Sequence, residues 1–334
     1  MILIDEDKIL EVISRRNPSS VALNGPEALF PKIQETAKKI MEIYSIPAYV
    51  IGDTCWGSCD LNTHAADILG VDLLFNIGHT VSLEIFGNKV IMINAYDDIE
   101  FEAVAKKFAS EVDNQKIRSI GLVTDSQHLE QIESVRKILE QSGLNVIIGQ
   151  GKGQLNNGQV FGCEFYPAYD VKNQIDAYVF LGQSMFHAAS IAMSTEKPTI
   201  MLDPYFNEYK EVNDYARKLE KKAILSVYKA QDAEKIGIII GLKEGQFAKI
   251  KALKLKKIFE DLGKEIHLIA ITEITEERLR NFKGIDAYIQ VACPRIATDN
   301  HFSKPVLSVP QAEALIRILK HEPMNDFLQI RHWL

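Results

Sequence analysis

The 334-residue sequence predicts an α/β fold of three repeated Rossmann-like parallel-sheet domains arranged around a pseudo-threefold axis. Three observations carry this expectation. Apolar, β-branched runs of strand length alternate with longer stretches whose apolar residues recur at helical spacing, the pattern of strand-crossover-strand units. That alternation restarts twice, at intervals of roughly 100 residues, too long a period for a solenoid. Finally, VDLLFNIGH from Val71, IDAYVFLGQ from Ile175 and IDAYIQVAC from Ile285 align without a gap.

The first unit opens with an acidic helix from about Asp5 to Arg16 and a strand at Val21–Asn24. A Gly25-Pro26 turn then starts a helix reaching about Tyr44, with proline suited to its first turn. IPAYVIG is the next strand and leads into the loop DTCWGSCDLNTHAADILG; VDLLFNIGHT and KVIMINAY are the third and fourth strands. The second unit repeats this with a strand in KIRSIGLVTD, a helix from Gln127 to Gln141 stopped by Gly143, and the strand NVIIG. A Gly- and Asn-rich loop containing Cys163 follows, then IDAYVFLGQ, a helix around Met185–Ser194 and the strand PTIML. KIGIIIGLKEGQ opens the pattern a third time, which runs through IDAYIQVACPR and KPVLSVP to a helix from Gln311. The repeats place domain boundaries at 1–105, 106–215 and 216–334.

Composition narrows the partners. A net charge of -7 and a pI near 5.7 give no global field that would gather a nucleic-acid backbone, so no direct nucleic-acid partner is expected. The N-terminal MILIDEDKILEVISRR carries acids within its apolar stretch, unlike a secretory leader. No apolar run approaches the roughly 20 residues that span a bilayer, and the expected location is the cytoplasm.

The four cysteines are Cys55, Cys59, Cys163 and Cys293. An isolated cytosolic cysteine is usually an inert buried thiol. Position argues otherwise for three of these. Cys59 and Cys163 each lie twelve residues before the aligned strand starts, each followed by an acid (Asp60, Glu164), and the third unit has Glu273 at that offset. Eight residues past the strand starts stand His79, Gln183 and Cys293. Each unit thus supplies one cysteine on a strand-end loop, and parallel sheets present those loops on one edge. Three such thiolates suit an iron-sulfur cluster or another soft-ligand metal site, and a cube held by three cysteines leaves one iron open to substrate. Structural zinc using all four cysteines is the competing reading, since Cys55 and Cys59 form a C-x₃-C pair.

GDTCWGSCD followed by LGVDLLFNIGHT, the lone mid-chain Cys163, the K-x-G-Q turn of Lys243, Gly245 and Gln246, and ACPRIATD near the C-terminus together resemble the archaeal diphthamide biosynthesis enzymes, over nearly the whole chain. The resemblance implies a homodimer in which each subunit holds a 4Fe-4S cluster through one cysteine per domain; by motif these are Cys59, Cys163 and Cys293. It also implies that the cluster, reduced by an electron donor, binds S-adenosylmethionine and cleaves the bond from sulfur to the methionine γ-carbon. The resulting 3-amino-3-carboxypropyl radical adds to C2 of a histidine imidazole in elongation factor 2, the first step of diphthamide synthesis. Asn62 stands where the C-x₃-C-x₂-C signature of ordinary radical S-adenosylmethionine enzymes would need its third cysteine, so that signature is absent. Cys55 is an additional thiol, and the offset shared with Cys163 favours Cys59 as the ligand.

Other candidates follow from placement. Arg295, two residues from Cys293, is expected to hold the methionine carboxylate or to tune the cluster, against the alternative of a salt bridge to Asp299. Lys243, Gly245 and Gln246 are cofactor-binding candidates at the first turn of the third unit, against the alternative of a plain helix cap. His79 and Gln183, at positions equivalent to Cys293, are expected to face the axis toward cluster or substrate. The Lys-rich helix AKIKALKLKKIF reads as a solvated face. Two rivals share the fold: a quinolinate synthase-like 4Fe-4S dehydratase, and a non-catalytic partner subunit of a diphthamide complex.

Overall fold

The computed structural model describes residues 2–81, 89–112, 116–299 and 301–333. A short strand β1 (Ile2–Ile4) precedes α1 (Glu6–Arg16), whose start is set by Asp5 accepting from the N–H of Lys8 at 3.1 Å. The first sheet then follows as β2 (Val21–Asn24), α2 (Phe30–Tyr44), β3 (Ala48–Val50), α3 (Thr63–Ile68), β4 (Leu73–Ile77) and β5 (Val90–Ile93). The expected strand KVIMINAY divides after Ile93: its second part, β6 (Ala95–Asp97), turns away and pairs antiparallel with β1.

The second unit contains α4 (Glu102–Glu111), β7 (Ser119–Thr124), α5 (Ile132–Gln141), β8 (Asn145–Ile147), α6 (Tyr166–Tyr169), β9 (Ala177–Leu181), α7 (Met185–Thr195), β10 (Thr199–Asp203) and β11 (Glu208–Glu211). The third contains α8 (Asn213–Ala230), β12 (Lys235–Gly241), α9 (Lys249–Asp261), β13 (Glu265–Ile271), α10 (Glu276–Leu279), β14 (Ala287–Gln290), α11 (Pro294–Asp299), β15 (Val306–Leu307) and α12 (Val309–Leu319).

The three sheets share one plan. Their orders are β3-β2-β4-β5, β8-β7-β9-β10 with β11 added at the edge, and β13-β12-β14-β15. Every pairing in these sheets is parallel except β10 with β11. In each, the second strand lies to one side of the first and the third to the other, which opens a crevice at the strand C-termini where the direction reverses. Val71, Ile175 and Ile285 lead into β4, β9 and β14, the third strand of each sheet, so the gapless sequence alignment corresponds to topological equivalence.

These sheets are covered on both faces, which is why their strands are nearly continuous apolar runs. In the first, Leu23 and Phe75 pack with Ile9, Ile33 and Ile40 on one face, while Ala22 and Leu74 pack with Ile51 and Leu61 on the other. The boundaries expected at 105 and 215 fall inside α4 and α8. Phe101, Val104 and Phe108 join the core of the second sheet; α8 is shared, with Ala216 and Ala223 in the second unit's core and Val227 and Ala230 in the third's. The chain also returns at its end, where Leu328 and Trp333 enter the core of the second unit.

The unit-opening turns are tighter than helices. Glu27–Leu29, Ser126–Gln131 and Glu244–Gln246 are 3₁₀ turns, and the regular helices begin only at Phe30, Ile132 and Lys249. The dipole and aligned N–H groups expected of a helix N-terminus at Lys243–Gln246 are therefore those of a single turn.

Candidate metal centre

Cys59 lies in the loop after β3, and its surroundings are set from behind by a polar ladder. Asn62 donates to Asn24 Oδ1 at 2.9 Å, and Asn24 donates to Asn76 Oδ1 at 2.8 Å. The buried Cys55 thiol lies 3.8 Å from that same Asn76 oxygen and 3.8 Å from the carbonyl of Gly57. Burial first, then the nearby Asp60 charge, push the Cys55 thiol up to about 12, so it stays protonated and acts as a hydrogen-bond donor inside the loop.

The K-x-G-Q turn of the third unit closes over Cys59 from the other side. The N–H of Gly245 donates to the Cys59 carbonyl at 3.0 Å, and Gln246 Nε2 points to the Cys59 sulfur at 3.4 Å. A Cβ at position 245 would lie 2.5 Å from Cys59 Cα and 2.6 Å from its Cβ, so glycine is what permits this approach. Glu244 accepts from the N–H of Leu61 at 3.2 Å and from both the N–H and hydroxyl of Thr63 at 2.6 Å, capping α3 from a different unit.

Lys243, 6% exposed, is enclosed by acids: its ammonium is 2.5 Å from Asp60 Oδ2 and 2.7 Å from Glu273 Oε1. Burial alone would lower its pKa, but the hydrogen bonds to Asp60 and Glu273 outweigh burial and raise it. Burial raises the Asp60 carboxyl above its ordinary range, and the same ammonium offsets part of that rise. Asp60 is the acid after Cys59, and Glu273 occupies the offset where the other units have cysteine.

Cys163 sits at the tip of a turn in which Phe161 N–H donates to the Glu164 carbonyl at 2.9 Å. Gly162 beside it leaves room for the ring of Phe186, which a Cβ there would approach to 1.6 Å. Cys293 lies three residues past β14, the third strand of the last sheet, and directly precedes α11. Its backbone is fixed by Gln290, whose Oε1 accepts from the N–H groups of Ala292 and Cys293 at 2.9 Å each while its Nε2 donates to the Cys293 carbonyl at 2.8 Å.

The three loops converge. Burial drives the Cys163 thiol well above its ordinary pKa, and the next contributions come from Cys293, Cys59 and Glu164. The Cys163 thiol of the second unit therefore lies within electrostatic reach of Cys59 from the first and Cys293 from the third. The Cys59 thiol is likewise raised by burial, with the Gln246 amide acting in the opposite direction. Such thiols ionise in exchange for a cationic centre, and loading one here would release protons. Among the described residues no group of three or more His, Cys, Asp or Glu side chains is placed to hold a metal ion; the thiol is nevertheless the donor type that iron-sulfur clusters take. Cys59, Cys163 and Cys293 are of the donor type a 4Fe-4S cluster takes and are the residues that would hold one, while Cys55 is engaged behind the loop.

Arg295 lies beside this space with its guanidinium 4.5 Å from the centroid of the Phe186 ring. Its charge reaches His79 and His187: burial first, then Arg295, push His79 down to about 4 and His187 to about 3, so both imidazoles are neutral at pH 7. His187 is held by Ser184 Oγ at 2.6 Å and stacks on Phe180. The Asp299 side chain, the alternative partner for Arg295, lies outside the described residues. Gln183 is directed elsewhere: it is exposed and donates to both Asp203 carboxylate oxygens at 3.0 and 2.9 Å.

Residues 25–326 match the family model described as "Putative diphthamide synthesis protein". The chain belongs to this family. It is 28% identical over 329 residues to the 2-(3-amino-3-carboxypropyl)histidine synthase of Pyrococcus horikoshii, covering 97% of this chain and 94% of that protein. It is 27% identical to subunit 1 of the corresponding synthase of Schizosaccharomyces pombe, covering 92% of this chain and 72% of that one. The crystal structure of Dph2 from P. horikoshii with a 4Fe-4S cluster superposes with a TM-score of 0.86 over 95% of this chain and 92% of that one, at 28% identity. The diphthamide family and the α/β fold with several parallel sheets are thus as the sequence predicts.

Glu244, Gln290, Phe186 and His187 are site residues that the motifs do not announce. Gln290 has a signal in retrospect, a lone amide within the apolar run IDAYIQVAC, 1% exposed. Glu244 and Phe186 depend on partners in different units, and His187 is held within its own unit by Ser184 and Phe180.

Proposed function

We propose that this protein uses a 4Fe-4S cluster held by Cys59, Cys163 and Cys293 to cleave S-adenosylmethionine reductively and to transfer the 3-amino-3-carboxypropyl group to C2 of a histidine imidazole in elongation factor 2, as the first step of diphthamide synthesis. The observation that carries the reading is that three equivalently ordered sheets each bring one cysteine to a strand-end loop, with the Cys163 thiol sensing both Cys59 and Cys293. In this reading the sheets surround a pseudo-threefold axis, the protein works as a homodimer, and an external donor reduces the cluster. The synthase names of the relatives and the 4Fe-4S cluster in the P. horikoshii Dph2 structure support it.

The cluster, when bound, supplies the electron for sulfur–carbon cleavage and an iron site left open by the three-cysteine donor set. The chain's own groups do the rest. Gln246 directs an amide N–H toward the Cys59 sulfur, which favours its negative form. Arg295, steadied over Phe186, offers a fork of donors to the methionine carboxylate. His79 and His187 border the Arg295 side as neutral groups, adding no second positive charge. Lys243 is committed to Asp60 and Glu273, so its contribution is to hold the Cys59 loop against the third unit.

The test is anaerobic incubation of the reconstituted, reduced protein with S-adenosylmethionine and elongation factor 2, followed by peptide mass mapping. An added 3-amino-3-carboxypropyl group on one histidine is expected. Quinolinate formed from its precursors without S-adenosylmethionine cleavage would select the dehydratase reading instead.

A further inference from the structure

The last residues of the chain belong to the third unit in sequence but pack on the second, directly behind Cys163. Two hydrogen bonds form a short antiparallel ladder there: Trp333 N–H donates to the Cys163 carbonyl at 2.9 Å, and Phe165 N–H donates to the Arg331 carbonyl at 2.9 Å. Between them Glu164 faces His332 as a bridge. The side chains continue the attachment. Trp333, 3% exposed, meets Phe165 edge to face at 5.0 Å, and its indole N–H donates to the Leu328 carbonyl at 2.8 Å. Tyr169 donates its hydroxyl hydrogen to the Gln329 carbonyl at 3.1 Å, and Arg331 pairs with Asp170 at 3.2 Å.

At its other end the segment is anchored to the unit that carries Cys293. Arg317, in the last turn of α12, donates to the Asn325 carbonyl at 3.1 Å, and Phe327 packs against the cores of both the second and third units. The Cys163 turn has little regular structure of its own: it follows a long loop after β8 and precedes only the four-residue α6. A loop so placed gains its order from whatever pairs with it.

We propose that residues 326–333 are a strap that positions the Cys163 loop. By supplying the strand that the loop pairs with, the strap fixes the thiol in place, limits its exposure and ties its position to the unit bearing Cys293. Opening the strap frees Cys163 selectively and leaves Cys59 and Cys293 as they are, because those two are held by the Lys243–Gln246 turn and by Gln290. For cluster loading the inference rests on Cys163 being a ligand; for thiol protection it does not.

The experiment uses the full-length apo chain and follows iodoacetamide modification of each cysteine by peptide mass spectrometry, in the wild type, Trp333→Ala and Trp333→Phe. Trp333→Ala should accelerate modification of Cys163 by about tenfold while Cys59 and Cys293 change by less than about twofold, and Trp333→Phe should restore protection. After reconstitution, Trp333→Ala should bind less iron per chain than Trp333→Phe. Hydrogen exchange of the wild-type chain gives an arm that needs no variant: cluster loading should protect amides of 326–333 together with those of 161–166, although the strap contributes no ligand. Unchanged Cys163 reactivity in a folded Trp333→Ala chain, or exchange of the strap indifferent to loading that protects the loop, overturns the proposal. Faster Cys163 modification together with a Cys163→Ala chain that keeps its full cluster would uphold the strap and overturn the ligand assignment instead.

Discussion

Replacing Gly245 by alanine isolates the contact on which the Cys59 loop depends. The added methyl carbon would stand 2.5 Å from Cys59 Cα and 2.6 Å from Cys59 Cβ, both far inside van der Waals contact. Neither is the movable end of a long side chain, so the K-x-G-Q turn must withdraw from the loop. Overpacking of this kind costs about 1–3 kcal/mol, and loss of the Gly245 N–H to Cys59 carbonyl bond adds roughly 0.5–1.5 kcal/mol. Withdrawal also carries the Gln246 amide away from the sulfur. Gly57→Ala is the control: a Cβ there meets the Cys59 sulfur at 3.6 Å, an ordinary contact, although Gly57 is only two residues from Cys59 in sequence. Thermal melting of the apo chains and iron content with visible absorbance after anaerobic reconstitution read the two effects. Gly245→Ala should melt several degrees lower and load poorly, with Gly57→Ala close to the wild type. A Gly245→Ala chain that melts and loads normally would refute the reasoning.

Alanine variants of Cys59, Cys163 and Cys293 should each lose cluster absorbance, whereas Cys55→Ala should keep it; loss at Cys55 with retention at Cys59 would reverse the assignment. Lys243→Met leaves the buried Asp60 carboxylate without its ammonium and should destabilise the chain by about 3 kcal/mol, while Glu273→Gln, at the exposed side of the same ammonium, should cost under about 1 kcal/mol; urea titrations compare them. Arg295→Lys should keep cluster absorbance but lose most S-adenosylmethionine cleavage, because an ammonium does not reproduce the bidentate fork; normal cleavage removes the carboxylate role. The depressed values of His79, about 4, and His187, about 3, make the folded apo chain reluctant to take up protons that the unfolded chain binds below 6.5. The associated stability is full above 6.5 and declines as pH falls toward those values, so the apo melting temperature should drop across that window, and His79→Gln should flatten the drop.

The parts of this molecule that sequence makes legible are those written in local periodicity. The runs beginning at Val71, Ile175 and Ile285 are buried on both sides, and the apolar composition this demands lets the three align without gaps and mark the third strand of each sheet. Cys59 and Cys163 stand at a fixed offset from those strands because each lies in the loop that precedes one. The site's cross-unit bonds leave no such trace. Glu244 caps α3 across 181 residues of chain, and Lys243, recognisable by motif, takes a partner 183 residues away. Equivalence between units is also incomplete: Gln183 shares the strand-tip position of Cys293, but the adjacent Asp203 captures its amide. The crossing of the C-terminal segment to the second unit is equally invisible, since nothing local distinguishes a tail that docks on its own unit from one that docks on its neighbour.

The central claim, that three thiols from three sheets hold a cluster directing S-adenosylmethionine toward 3-amino-3-carboxypropyl transfer, is tested most directly by the cleavage product. After anaerobic reconstitution with iron and sulfide and addition of dithionite and S-adenosylmethionine, the account predicts methylthioadenosine together with 2-aminobutyrate or homocysteine sulfinic acid. Formation of 5′-deoxyadenosine, or no cleavage by a fully loaded protein, would contradict it.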